Sequence, residues 1–547
     1  MKKNKISSIA NALFVFVGSF LFFSWGTGNT SLWDIDEPIY AQALKEMMAT
    51  GNLIVPLFNG HLLPDKPILN YLLMWAGVKI FGLNSFGLRI GSAIVGALLI
   101  LLLLVMVKKL YNQRVAIISV LITATILHST IIFRSATPDP LLILTVTASL
   151  TFFLYGYLHE EKRYKYLLLM YLAFAFATLD KGPIGFLLPG LIIVVFLISQ
   201  NDLKFLLRDS RLKFGVPLFL LITLPWYVAV GIETHGAWDQ IFFIQQNIGR
   251  FDSSMQGHKG PWFYYIISIF LGMLPWSIFF PHLLVWLKKN NFFLSEKISK
   301  KTLFMMIWAV VWAVFFSFSA TKLPSYVWES YPPLAILLAL YFDNRLRSGL
   351  ENRKILDLFS AGLLLVIGLA LCLFGGWILP QREPEIPNLV ATGLPYLIGG
   401  IVAVFFLLRG KILPAMISIA ISAVALSVLL VFVLTPQFNQ LKPAQMMGKK
   451  ISEIQQGNPY RLVAWNWFQP DFLFYAARGN MTVHRVAHAS DVNRFTGVEP
   501  LYVVCPETDV KDLVLALQPP YQADLLMTRF EIYDHEKISL LRITGSS

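Results

Sequence analysis

Along this chain, apolar residues come in long runs separated by short charged stretches, without the close alternation of a soluble domain. Runs long enough to cross a bilayer, or nearly so, fall at about 10–27, 86–107, 115–133, 138–157, 165–179, 183–199, 212–230, 262–286, 303–320, 330–342, 356–378, 392–409 and 412–434. A span needs about 20 apolar residues, so these predict thirteen transmembrane helices, with 165–179 and 330–342 short. The stretch from Trp33 to Tyr71 breaks the pattern: it is too polar to cross and follows the first run at once. It predicts two surface helices. The first begins near Pro38 and stops at Gly51, with Ile39, Ala43 and Met47 on one stripe and Tyr40, Leu44 and Met48 on the next. Asp36 is placed to cap it, because its carboxylate can accept from free N–H groups and proline is tolerated in a first turn. The second runs from Pro67 to about Phe81.

After residue 435 the pattern changes. LVAWNW (462–467), MTVHRV (481–486), PLYVVCP (500–506) and ISLLRI (538–543) read as strands, and DVKDLVLAL (509–517) as a helix. The predicted fold class is a multi-span all-α membrane protein with a soluble C-terminal α/β domain. Residues 1–435 form the membrane part, 28–85 its reactive first outward loop, and 436–547 a domain large enough to fold independently.

Composition agrees, with 56% hydrophobic and 14% charged residues, against roughly a quarter charged in soluble proteins. A net charge of +13 would suggest nucleic acid in a soluble protein. Here its distribution gives another cause. MKKNK and the loops at 108–114, 159–166, 201–213, 288–301, 343–354 and 409–411 hold 24 of the 45 Lys and Arg, the excess expected of cytoplasmic loops. The N-terminus is then cytoplasmic, and an odd number of spans puts the tail in the periplasm. The first apolar run reads as a retained helix. Cys372 and Cys505 lie in different settings, which argues against a structural disulfide and a Cys-based zinc site. There is no nucleotide-binding glycine loop, HExxH or internal repeat.

On this topology the outward face collects 28–85, RSATPD (134–139), DKGP (180–183), 231–261, TKLPSY (321–326) and the tail. Charged groups beside apolar helices are costly unless paired or lining a hydrated cavity. Asp36, Glu37 and Asp139 are candidate catalytic carboxylates, one taking a proton from a hydroxyl while another holds a polar substrate group; helix capping is the plainer reading of each. Lys66, Lys181, Arg250 and Lys322 suit a phosphate pocket that would stabilise a departing phosphate, although each could instead snorkel to headgroups. Tyr40 and Tyr326 are candidate substrate contacts. Asp65 and His258 are of the chemical types that zinc accepts. Multiple charged spans also fit a lipid-linked sugar transporter or flippase, and a scaffold with a partner-binding outward domain is a further alternative.

The ordered motifs WDIDEPIYAQALKEMMATGN, DKPILNYLL, SFGLRI, RSATPDPLL, ATLDKGPIGFLLP, LPWYV, NIGRF, HKGPWFYY, GMLPWS and TKLPSYVWESYPPLA resemble the GT-C-fold membrane glycosyltransferases. The resemblance is to the group that contains the bacterial lipid A aminoarabinose transferases and, more distantly, the protein O-mannosyltransferases. It implies thirteen spans, two surface helices in the first loop and an outward α/β domain in the bacterial inner membrane. It also implies transfer from a polyprenyl-phosphate-linked sugar to a lipid A, glycan or protein acceptor. The family's catalytic aspartate falls on Asp36, its second aspartate on Asp139, its donor-phosphate lysine and arginine on Lys66 and Arg250, and its zinc-holding carboxylate and histidine on Asp65 and His258. Two departures stand out. DEPIY replaces DETRY, so Ile39 stands where a cation does, and DKP replaces EKP. The expected reaction is an inverting displacement of a pentose, aminopentose or hexose with no required cofactor, by a monomer that binds membrane lipids and no nucleic acid.

Overall fold

The computed structural model describes residues 2–33, 35–249, 260–290, 299–348 and 354–545. The helix Ser85–Leu110 is apolar on every side, as SFGLRIGSAIVGALLILLLLVMVKKL requires, and accordingly lies at the centre of the membrane part. Asn84 caps it by accepting from the Gly87 N–H at 2.9 Å. It packs against the first helix, Lys2–Ser24, and against Leu69–Phe81, Gln113–Thr125 and Asp139–Leu158. The closest approach is to Leu69–Phe81, where a Cβ on Gly77 would stand 2.2 Å from the Gly87 carbonyl oxygen.

Among the described residues, seven helices are long and apolar enough to cross a membrane, or eight if one bent pair is a single span, and four shorter apolar helices accompany them. The thirteen apolar runs therefore do not all appear as full-length helices. The run at 262–286 is a pair, Tyr264–Gly272 and Trp276–Lys289, bent by 112°. The run at 115–133 divides into Gln113–Thr125 and Leu127–Ile132. These breaks lie against each other and satisfy one another's polar groups: Leu127 N–H donates to the Leu274 carbonyl at 2.9 Å and Trp276 Nε1 to Thr125 Oγ1 at 2.8 Å. Irregular backbone within apolar surroundings needs such partners.

The helices expected in the first loop are present as Asp36–Thr50 and Leu69–Phe81. The first ends at Gly51 in the left-handed region, φ 72°. Its start and its exposure differ from expectation. The helix begins at Asp36 itself, with Ile35 as N-cap and no side-chain cap. Tyr40, Ala41, Ala43, Leu44 and Met47 are all buried, in a cluster with Ile68, Tyr71, Met74, Val78, Leu88 and Leu179 to which the C-terminal domain adds Phe474 from its helix Pro470–Ala476.

That domain is a five-stranded sheet in the order Val483–Val486, Arg461–Trp465, Leu501–Pro506, Glu536–Gly545, Tyr521–Glu531. The first three strands are parallel and the last two antiparallel. Alternation along Arg461–Trp465 sends Leu462 and Ala464 into one core with Met447, Phe472 and Leu473. Val463 and Trp465 enter a second core with Val492 and Leu513. The four expected strands and the helix near 510 are present; Tyr521–Glu531 is an additional strand, interrupted by an irregularity between Leu525 and Met527.

Candidate active site

Five of the six segments assigned to the outward face converge on one cavity of about 1240 Å³. Asp36 enters it from the first turn of its helix. Lys66 follows a tight hairpin, Leu57–Phe58 paired with His61–Leu62, whose turn Asn59-Gly60 has φ of 52° and 76° at its two residues, the Asn-Gly signature of a two-residue loop. Glu46 holds that turn by accepting from the N–H groups of Asn59 and Gly60 at 2.8 and 3.1 Å. Asp139 opens the helix Asp139–Leu158, and Lys181 closes Arg163–Lys181. At Gly182, φ is 82° and a Cβ would stand 2.5 Å from the Phe242 ring, so glycine here lets the 242–249 segment reach the cavity wall.

Two carboxylate–ammonium pairs face this space. Lys66 Nζ donates to Asp65 Oδ1 at 2.8 Å and lies 5.8 Å from the Tyr40 ring centre, while Tyr40 donates its hydroxyl to Asp65 Oδ2 at 2.9 Å. Burial first, and then the Asp65 charge, hold the Tyr40 phenol well above the usual tyrosine range, so it remains a donor. Lys181 pairs with Asp139 and lies 5.8 Å from the Tyr326 ring centre. The remaining wall is apolar and aromatic, including Leu142, Leu187, Phe242, Trp312 and Phe316. Such a space accommodates a charged head and a hydrocarbon chain together.

The structure thus brings Asp36, Tyr40, Asp65, Lys66, Asp139, Lys181 and Tyr326 to one cavity. Arg250 and His258 lie outside the described residues. Two candidates are placed elsewhere. Lys322 turns away from the cavity and donates to the carbonyls of Ser317 and Ser319 at 2.8 and 3.0 Å, at the end of Lys300–Ser317. It satisfies carbonyls that the helix itself leaves free. Glu37 is fully buried and accepts from Arg89 at both oxygens, each at 2.6 Å, from the Trp33 N–H at 2.6 Å and from the Ala136 N–H at 2.7 Å. It is a positioning residue, tying the Asp36 loop to the turn before Asp139.

Arg89 completes this junction by donating to the carbonyls of Thr27 at 2.8 Å, Thr30 at 3.0 Å and Ser31 at 2.8 Å. From the other side, the C-terminal domain grips the strand leading to Asp36. Tyr475 accepts from the Leu32 N–H at 2.7 Å, Lys442 donates to the Leu32 carbonyl at 2.5 Å, and Asn439 accepts from the Ser31 N–H at 3.1 Å. Lys45 adds two bonds of 2.6 Å to the carbonyls of Phe474 and Ala477.

Similarity to known proteins follows the same map. Residues 65–228 match the family described as dolichyl-phosphate-mannose-protein mannosyltransferase. The chain is 26% identical over 468 residues to an uncharacterized protein of Aquifex aeolicus, covering 85% of this chain and 87% of that one. It is 31% identical over 356 residues to the undecaprenyl phosphate-alpha-4-amino-4-deoxy-L-arabinose arabinosyl transferase of Aeromonas salmonicida, covering 64% of this chain and 63% of that one, just under two thirds of its length. The crystal structure of ArnT from Cupriavidus metallidurans bound to undecaprenyl phosphate superposes on the whole chain, with a TM-score of 0.78 at 20% identity and 97% of each chain covered. The chain shares the fold of that Cupriavidus protein, and its sequence is similar to the transferases named above.

Sequence reasoning missed Arg89 and Glu329. Arg89 stands alone within the apolar run of SFGLRI, where an unexplained cation signals a buried partner. Glu329 lines the cavity and is almost wholly buried, and its signal was a lone carboxylate in VWES. As for the metal reading, the described part of that donor set is Asp65 alone, whose two oxygens already accept from Lys66 and Tyr40. That does not make a zinc site by itself, and no step below uses a metal.

Proposed function

We propose that this glycosyltransferase moves a sugar from a polyprenyl-phosphate donor to a hydroxyl of a lipid A, glycan or protein acceptor, with inversion at the anomeric carbon. The observation that carries the reading is the single cavity in which Asp36 stands with Lys66 and Lys181, beside an aromatic wall able to receive an isoprenoid chain. The names of the Aeromonas and Cupriavidus relatives support undecaprenyl phosphate as the carrier.

Asp36 takes the proton of the acceptor hydroxyl as its oxygen attacks the anomeric carbon. The bond from that carbon to the phosphate oxygen breaks, and polyprenyl phosphate leaves with the electron pair. Lys66 holds the phosphate by charge-assisted hydrogen bonds, with Arg250 assigned to the same group by the family motif. Phosphate is a weak base, so its departure calls for no general acid. Asp139 fixes Lys181 beside it, and Tyr40 orients Asp65 and Lys66. We further infer thirteen spans with the N-terminus cytoplasmic, the two first-loop helices and residues 436–547 periplasmic, and a monomer working without a cofactor.

The test is to incubate the purified protein with undecaprenyl-phosphate-linked pentoses, aminopentoses and hexoses, with lipid A, glycan and peptide acceptors, and to read the transferred mass. Transfer that Asp36→Asn abolishes, with lipid binding retained, is the expected result. Absence of transfer from every donor overturns the reading.

A further inference from the structure

The cavity is lined by four carboxylates, Asp36, Asp65, Asp139 and Glu329, and by two ammonium groups, Lys66 and Lys181. Lys66 is engaged by Asp65 and Lys181 by Asp139. Glu329 differs from the other three. It is 1% exposed, and its Oε1 is buried without a hydrogen-bond partner among the described residues. Leaving a buried polar group unmet costs free energy that a neighbouring donor would normally repay.

The side chain is also held in place. Its turn, Pro324–Ser330, is fixed by Trp312 Nε1 donating to the Tyr326 carbonyl at 2.8 Å and by Trp328 Nε1 donating to His128 Nδ1 at 2.5 Å. Val327 and Ser330 on either side are fully buried. Glu329 is therefore held away from bulk water, in the wall of the cavity.

The groups acting on it are Lys181 and Asp180 at the end of Arg163–Lys181, Asp139 at the start of the helix Asp139–Leu158, which packs against the Glu329 turn, and Tyr331 on the following helix. Burial pushes its pKa up to about 8, Lys181 pulls it down and Asp139 pushes it up. At neutral pH the group is thus mainly a carboxylic acid, with one O–H donor and remaining acceptor capacity. That pairing suits a sugar hydroxyl.

We propose that Glu329 reads the donor sugar, hydrogen-bonding hydroxyl groups of an uncharged sugar ring while Lys66 holds the phosphate. The assignment rests on the functional reading above and adds to it a specificity-determining residue in the wall of the same cavity.

The test measures binding of undecaprenyl phosphate alone, and of undecaprenyl phosphate carrying neutral pentoses or hexoses, to the full-length protein, to Glu329→Gln and to Glu329→Ala. The Ala variant is expected to bind the best sugar-loaded lipid about 10- to 100-fold more weakly and the bare lipid unchanged. The Gln variant, which keeps a donor and an acceptor, is expected to stay within about 3-fold on both lipids at pH 7. It should also lose the weakening of sugar-loaded binding that the unaltered protein shows above about pH 8. Equal losses on both lipids in the Ala variant would make Glu329 a structural or phosphate-side group, and no loss on the loaded lipid would remove it from the sugar; either overturns the proposal. If the unaltered protein binds neither lipid, the donor assignment falls and takes this one with it, a result distinct from both.

Discussion

Glu37 and Glu329 stand on two walls of the same end of the molecule and are buried to nearly the same degree, yet their surroundings are opposite. Glu37 accepts from Arg89 twice and from two backbone N–H groups; an oxygen of Glu329 meets no donor among the described residues. The wall that carries Glu37 is tied on both sides, by Arg89 from the central helix and by Tyr475, Lys442 and Asn439 from the C-terminal domain. The turn that carries Glu329 is tied by its neighbours while Glu329 itself belongs to the cavity wall. A fully partnered buried charge fixes geometry, and one left open keeps its hydrogen-bonding capacity for something that arrives later. The comparison therefore separates residues that shape the site from residues that meet the substrate.

The largest effect expected is at the reacting group that the tied wall presents. Asp36→Asn should lower the transfer rate by about 10²- to 10⁴-fold, the usual worth of a general base, with undecaprenyl phosphate binding preserved; unchanged single-turnover rates would take Asp36 out of that role. Next comes the junction itself. Arg89→Met leaves the Glu37 charge buried without its cation and should cost about 3–5 kcal/mol, read as a lower unfolding temperature in detergent. A variant as stable as the parent would show that the wall does not depend on that pair. Lys66→Met should weaken binding of bare undecaprenyl phosphate by about 1.5–3 kcal/mol, the range for a hydrogen bond to a charged group, and should also lower thermal stability, by less than Arg89→Met does, because Asp65 loses its cation but keeps the Tyr40 hydroxyl.

Tyr475→Phe removes the partner of the Leu32 N–H and should cost about 1 kcal/mol. Because Leu32 lies four residues from Asp36, turnover should fall more than donor affinity does; a change in affinity alone would contradict the grip. The smallest effect is the pH response. The pKa of Glu329 lies near 8, above its ordinary value, so the group is neutral below about pH 8 and gains a negative charge above it. Sugar-loaded donor affinity should then decline as pH rises through 8 and recover when pH is lowered again, measured at constant ionic strength.

Much of this arrangement was legible in the residue order, because charges beside apolar runs are rare and costly. That logic found Asp36, Lys66, Asp139 and Lys181, all of which line the cavity. The same logic selected Lys322, which instead satisfies carbonyls at the end of its neighbouring helix; a cation next to a helix end has two possible employers, and sequence alone does not choose between them. Glu37 was grouped with Asp36 by adjacency. Consecutive residues in a first helical turn point in different directions, however, and its partner Arg89 lies 52 positions away. The Asn59-Gly60 turn carried a strong local signal and was not used. Burial of the Asp36–Thr50 helix draws on Tyr71, Leu88, Leu179 and Phe474, partners up to about four hundred residues away that no local periodicity reveals.

The distance along the chain between Leu32 and its holders, 410 positions to Lys442 and 443 to Tyr475, has a consequence for biosynthesis. Every residue that lines the cavity has been made once the ribosome passes Glu329, but the strand that presents Asp36 lacks its outer clasp until the last hundred or so residues are made and folded. A nascent or truncated polypeptide ending near 435 would carry the complete set of reactive groups with their scaffold unlatched, so maturation of this enzyme is timed by its carboxyl end.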